Sequence, residues 1–137
     1  MNATFVDTSF MLALLLKRDA YHDKALAWQM ATTGEIVTTE YVVTEFVDAL
    51  SAKPVRQHAV HTVSELRSDR QARVVPAGTA LLDEGLTFFL AHPDKRWSLT
   101  DCISFIVMRR EGISAALTTD HHFEQAGFRA LLRSDPP

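Results

Sequence analysis

The sequence predicts an α/β fold in which a parallel sheet carries helices on both faces. Three observations predict it. Short strand-like runs recur along the 137 residues, at Ala3-Thr4-Phe5-Val6, Ile36-Val37-Thr38, Arg73-Val74-Val75 and Ala115-Ala116-Leu117-Thr118. Helical stretches separate these runs, most of them closed by a glycine, a proline or a polar loop. The composition, 47% hydrophobic and 23% charged, is that of an ordinary globular chain, and its length favours one domain over residues 1–137.

The first strand, residues 3–6, ends at Asp7-Thr8-Ser9, three residues of capping type that introduce a helix over the apolar run 10–16. A second helix covers about 21–33, and Gly34 stops it. The β-branched strand 36–38 leads into a helix over 40–51, where Val42, Val43, Phe46, Val47 and Leu50 form one apolar stripe. Pro54 closes that helix and suits the first turn of the next, about 55–68. Strand 73–75, punctuated by Pro76 and Gly78, precedes a helix over about 79–91, and the polar segment 92–96 is a loop. Residues 98–110 form a helix that is apolar on most faces, which marks it as central; Gly112 ends it. A buried-type strand at 115–118, a short helix at 120–126 and a last strand at 128–132 complete the chain. Helix is expected to dominate, and ligands are expected beyond the carboxyl ends of the strands.

With 14 basic and 17 acidic residues the formal net charge is −3, which argues against a broad basic surface for nucleic acid. A site that holds phosphate through bound cations stays open, because such a site is itself acidic before the metal arrives. The single Cys102, beside Ile103, Phe105 and Ile106, forms no internal bridge and reads as a buried, reduced thiol. The apolar run 10–16 is too short to span a bilayer, and neither a signal peptide nor a lipidation motif is found, so a cytoplasmic location is expected.

Four acids stand where such a sheet brings chain segments together. Asp7 and Asp120 follow the first and fourth predicted strands, Asp101 lies in the first turn of the central helix, and Glu45 lies in the second turn of helix 40–51. Each has a plainer role available. Asp7 and Asp120 suit helix caps, and Asp101, three residues after Ser98, suits a capping box. Glu45 lies about 60° outside Val42 on a helical wheel, a margin position that suits a cleft-facing or a solvent-facing group. The argument rests on the set. Carboxylate oxygens suit Mg²⁺ or Mn²⁺, hard cations that activate a water and stabilise a phosphodiester under attack. Without metal, clustered carboxylates repel one another, so their pKa values are expected to be raised and coupled.

Other polar residues are weaker signals. His121 and His122 flank Asp120, and adjacent helical residues point about 100° apart, so at most one faces the site. His58 and His61 share a helix face without the partners a zinc set needs. Lys95, Arg96, Arg109 and His122 are candidate phosphate contacts, although Arg109 and Arg110 also suit a helix C-terminus on dipole grounds. Trp97 reads as a residue seating its loop on the core rather than a base-stacking platform. Phe10, Leu14, Leu15, Leu26, Trp28, Met30 and Tyr41 exceed what a small core needs, and part of that surplus is expected to meet a partner.

Taken in order, Asp7-Thr8-Ser9 after a strand, Glu45 in a helix, Ser98-Leu99-Thr100-Asp101 and Thr118-Thr119-Asp120-His121-His122-Phe123 resemble the PIN domain, and more narrowly the VapC-type toxins of bacterial toxin–antitoxin pairs. The resemblance covers nearly the whole chain. It implies a three-layer α/β/α fold around a parallel five-stranded sheet of order 3-2-1-4-5, and Mg²⁺- or Mn²⁺-dependent cleavage of RNA. It also implies a homodimer and inhibition by a cognate antitoxin protein. The implied catalytic and metal-holding quartet is Asp7, Glu45, Asp101 and Asp120, with Thr8, Ser9 and Thr119 in support. A PIN ribonuclease of RNA processing and a catalytically silent PIN-like binding module are the alternatives. A phosphatase of the haloacid dehalogenase type would need an acid where Ser9 stands, and a receiver domain would need paired acids after the first strand.

Overall fold

A computed structural model of the chain describes residues 2–52 and 54–137. Strands and helices alternate through them in the order β1 (Ala3–Val6), α1 (Thr8–Leu15), α2 (His22–Ala31), β2 (Glu35–Thr39), α3 (Glu40–Ala49), α4 (Val55–Ser68), β3 (Ala72–Val75), α5 (Thr79–Ala91), α6 (Leu99–Glu111), β4 (Ala115–Leu117), α7 (His121–Gln125) and β5 (Arg129–Ala130). The strands form one all-parallel sheet of order β3-β2-β1-β4-β5. This is the fold class and strand order expected above. β1 is central, with Phe5 opposite Val37 of β2 on one side and Ala116 of β4 on the other.

Parallel pairing requires crossovers, and helical crossovers cover both faces of a sheet, so its central strands must be apolar. Phe5, Val37 and Ala116 are fully buried accordingly. The core continues into α6, where Cys102, Ile103, Phe105 and Met108 are inaccessible to solvent. Phe105 meets Trp97 and Phe123 edge-on, with ring centroids 5.1 and 5.0 Å apart. Burial pushes the Cys102 thiol up to about 11, in line with an inert, reduced cysteine.

Two glycines shape this helix's surroundings. Gly112 adopts φ 69°, the left-handed conformation that ends α6. Gly85 of α5 lies against α6 so closely that a Cβ there would stand 2.5 Å from Ile103 Cγ1.

The observed boundaries differ from expectation in instructive places. α1 starts at Thr8, two residues early, because Asp7 takes the position just before the helix. The strand expected over 128–132 pairs only at Arg129 and Ala130, after which Leu131–Arg133 turn as a 3₁₀ helix. β4 ends at Leu117, so no ladder remains for a longer β5; Leu132 N–H donates instead to the Thr118 carbonyl at 3.1 Å. Part of the apolar surplus is core rather than surface. Phe10 and Trp28 are buried, Trp28 donating Nε1–H to the Ser134 carbonyl at 2.9 Å, while Leu26 and Met30 are exposed.

The two ends of the sheet carry opposite electrostatics. At the amino end, Arg73 of β3 pairs with Glu35 at the start of β2 and Glu111 at the end of α6. Mutual pairing depresses the Glu111 carboxyl and raises the Arg73 guanidinium. The carboxyl end gathers acids.

Candidate functional site

Asp7 follows the last residue of β1 and occupies the capping position of α1, yet its side chain makes no capping hydrogen bond. The carboxylate turns inward. Its Oδ2 accepts from Thr118 Oγ1 at 2.7 Å and from Ser9 Oγ at 3.0 Å, and the residue is only 5% exposed. Burial pushes the carboxyl up to about 6; the Asp101 charge adds to the rise, and the hydrogen bonds from Thr118 and Ser9 oppose it. The plain capping role considered for Asp7 is therefore absent.

Asp101 has both roles at once. Its carboxylate Oδ2 accepts from the Ser98 N–H at 3.2 Å while Ser98 Oγ accepts from the Asp101 N–H at 3.0 Å, a complete capping box. The same carboxylate lies within 3.3 Å of His122 Nδ1. Burial raises its pKa first, and the neighbouring Asp120 charge raises it further against the Ser98 and His122 contacts. Asp120 caps α7 by accepting from the His122 N–H at 2.9 Å, and its own N–H donates to Thr118 Oγ1 at 3.0 Å.

Glu45 is tied in differently. It sits on the exposed side of α3, and its Oε1 accepts from Thr8 Oγ1 at 2.6 Å. Thr8 thus bridges Glu45 to the residue beside Asp7, and Ser9 is the partner of Asp7 itself. The threonine after β4 that touches an acid through its side chain is Thr118, one residue before the Thr119 expected to support the site. Thr119 supplies only its backbone N–H, to Ser9 Oγ at 3.0 Å. The Ser9 and Thr118 hydroxyls, 3.1 Å apart, form a small polar knot beneath Asp7. The signal for Thr118 was available in its place right after a buried strand, but which of two adjacent threonines faces inward depends on where that strand stops.

The basic candidates spread out. Lys95 and Arg96 lie in the exposed loop that enters α6, Lys95 Nζ standing 5.9 Å from the Trp97 ring. Trp97 is buried and donates Nε1–H to Gln125 Oε1 at 3.0 Å, as a residue seating its loop. Arg109 is eight residues beyond Asp101 on α6, about 12 Å along the axis. It lies over the Phe88 ring and donates to the Ala126 carbonyl at 3.3 Å. His122 stands against the acids.

The donor set fits a hard divalent cation. Asp7 and Asp101 are buried carboxylates with raised pKa values, near a further acid, and among the described residues no Lys or Arg pairs with Asp7, Glu45, Asp101 or Asp120. Buried like charges without a cationic side chain are costly, and a cation held by their oxygens removes the cost.

Residues 4–129 match the PIN domain family, and the chain belongs to it. The 23S rRNA-specific endonuclease VapC20 of Mycobacterium tuberculosis is 31% identical over 124 residues, covering 90% of this chain and 94% of that protein. Its crystal structure, described as a sarcin-ricin loop cleaving toxin, superposes with a TM-score of 0.85 over 93% of this chain and 97% of its own, at 29% identity. FitAcB from Neisseria gonorrhoeae (TM-score 0.65, 15% identity) and VapBC2 from Rickettsia felis bound to a promoter DNA fragment (TM-score 0.66, 9% identity) share the fold. They cover 92% and 93% of this chain, and 94% and 96% of their own. No described helix is long and apolar enough to cross a membrane.

Proposed function

We propose that this chain, acting as one domain in the cytoplasm, is a metal-dependent endoribonuclease and the toxin of a toxin–antitoxin pair. Asp7, Glu45, Asp101 and Asp120 hold Mg²⁺ or Mn²⁺ and form the catalytic set. The observation that carries this reading is the pair of buried carboxylates, Asp7 and Asp101, with Asp120 beside Asp101 and no Lys or Arg partner among the described residues, at the carboxyl edge of a PIN-family sheet. A bound cation there supplies an activated water and stabilises charge on the scissile phosphate and leaving oxygen. The remaining work belongs to the chain. Thr118 and Ser9 hold the Asp7 carboxylate in place, Thr8 holds Glu45, and Ser98 holds Asp101 through the capping box. Lys95 and Arg96 offer phosphate contacts on the loop entering α6, with Arg109 farther along that helix.

The similarity to VapC20 makes a structured fragment of 23S rRNA the first substrate to test. Wild type and Asp101→Asn are compared on that fragment and on single-stranded RNA, with Mn²⁺ and after chelation. Cleavage by wild type alone, abolished by chelator and restored by metal, is the expected result. Equal cleavage by both proteins would exclude the acidic cluster. A folded wild type that cuts neither RNA with any divalent metal points to a binding module instead. A homodimer is part of the same proposal, supported by Leu86, Phe89 and Leu90, which leave apolar surface exposed on α5, and light scattering tests it.

A further inference from the structure

We propose that His122 is itself a metal ligand, which makes the cluster a mixed imidazole–carboxylate site selective for transition ions such as Mn²⁺ and Zn²⁺ over Mg²⁺. The inference rests on the metal-holding reading of Asp101 and Asp120 and adds a donor to it.

The geometry points there. The His122 backbone N–H donates to Asp120 Oδ1 in the cap of α7, which brings the ring against the acids. From that position Nδ1 lies 3.3 Å from Asp101 Oδ2 and 3.3 Å from Asp120 Oδ1. The ring is 20% exposed, so it is packed over the carboxylates rather than extended into solvent.

The contact to Asp101 is a long hydrogen bond in the metal-free protein. Charge-assisted N–H···O bonds run at about 2.7–2.9 Å, and one N–H cannot aim straight at two acceptors. Equal separations to two carboxylate oxygens also place the ring where it could share a cation with them. With metal–donor distances of about 2.1 Å, neighbouring corners of an octahedron lie about 3 Å apart. A second imidazole is near, since Asp120, His121 and His122 each offer a ligand atom within 4.8 Å of the others.

The donor type sets the selectivity. Mg²⁺ prefers oxygen and gains little from an imidazole, whereas Mn²⁺, Ni²⁺ and Zn²⁺ accept nitrogen readily. An all-carboxylate quartet would discriminate among these ions weakly. His122 is the residue that would separate them.

The experiment titrates Mn²⁺ into wild type, His122→Ala, His121→Ala and Asp101→Asn, following the free ion by electron paramagnetic resonance, with Mg²⁺ as competitor. Pulsed spectra of the bound ion then report nitrogen coordination. Wild-type Mn²⁺ is expected to show nitrogen modulation. His122→Ala is expected to abolish that modulation and weaken Mn²⁺ about ten-fold, while Mg²⁺ changes by less than about two-fold. His121→Ala should keep the modulation.

Bound Mn²⁺ without nitrogen modulation in wild type, lost in Asp101→Asn, overturns the His122 assignment and leaves the carboxylate site standing. Modulation that survives His122→Ala but not His121→Ala also overturns it. A wild type that binds no Mn²⁺ removes the metal-holding reading along with it. A wild-type spectrum without nitrogen modulation overturns the assignment even if a variant misfolds, which circular dichroism monitors.

Discussion

Asp7 holds its proton more tightly folded than unfolded, because burial raises its carboxyl from an ordinary 3.8 to about 6. Between those values the native state binds more protons than the unfolded state at this group, so Asp7's contribution to stability is fully present below about 4 and is lost as pH rises through about 6. The shift corresponds to about 3 kcal/mol for the metal-free protein. Urea unfolding from pH 4 to 7 in chelator is expected to show this decline, and Asp7→Asn should remove Asp7's share while leaving what Asp101 contributes. An unchanged slope in that variant would contradict the assignment of the shift to Asp7. Thr118 tests the polar knot beneath it. Thr118→Val keeps the shape but deletes a donor to Asp7 and an acceptor for the Asp120 N–H. Mn²⁺ affinity and RNA cleavage are expected to drop about ten-fold, with a stability loss of about 1–2 kcal/mol by denaturant titration.

At the scale of elements, α6 does two jobs, carrying Asp101 in its first turn and much of the core along its length. That explains why its neighbour α5 has a glycine in mid-helix. Gly85 costs helix propensity of up to about 1 kcal/mol relative to alanine, yet the space for a Cβ is filled by Ile103. Over-packing typically costs about 1–3 kcal/mol, so the clash outweighs the gain in propensity. Gly85→Ala is therefore expected to lower stability by about 1–2 kcal/mol rather than raise it; a stabilised variant in urea would show that α5 moves aside without penalty. α7 shows the opposite economy, a five-residue helix whose cap, Asp120, is also part of the acidic cluster.

Across the whole molecule, the parallel sheet sorts charge by end: Arg73 pairs with both Glu35 and Glu111 at the amino edge, while Asp7, Asp101 and Asp120 at the carboxyl edge have no Lys or Arg partner among the described residues. A ligand that binds only the native state stabilises it in proportion to the logarithm of its concentration over Kd. Mn²⁺ at about 100 times its Kd is expected to add about 3 kcal/mol, seen as a higher Tm that chelator reverses. The gain should shrink as pH falls below about 6, where protons compete for Asp7. A Tm indifferent to Mn²⁺ at pH 7 would remove the metal from the proposed function.

The sequence by itself determined the alternation of strands and helices, because hydrophobic periodicity and the positions of Gly112, Pro54 and Ser98 are local signals. Helices at Val55–Ser68 and Thr79–Ala91 lie where Pro54 and the Pro76 and Gly78 punctuation put them. The four acids were also legible, as residues following strands or opening helices. Strand order entered through family resemblance rather than through any local pattern, since pairing depends on contacts between distant segments. Tertiary structure alone decided which distant groups hold Asp7 and Glu45. Asp7 leaves its cap for Thr118, 111 positions away, and Thr8 turns to Glu45 across 37 positions. The same holds for the early end of β5 and the choice of Thr118 over Thr119, both set by where β4 stops. Local propensity acts over a few residues; a buried carboxylate answers to whatever the packed core places beside it.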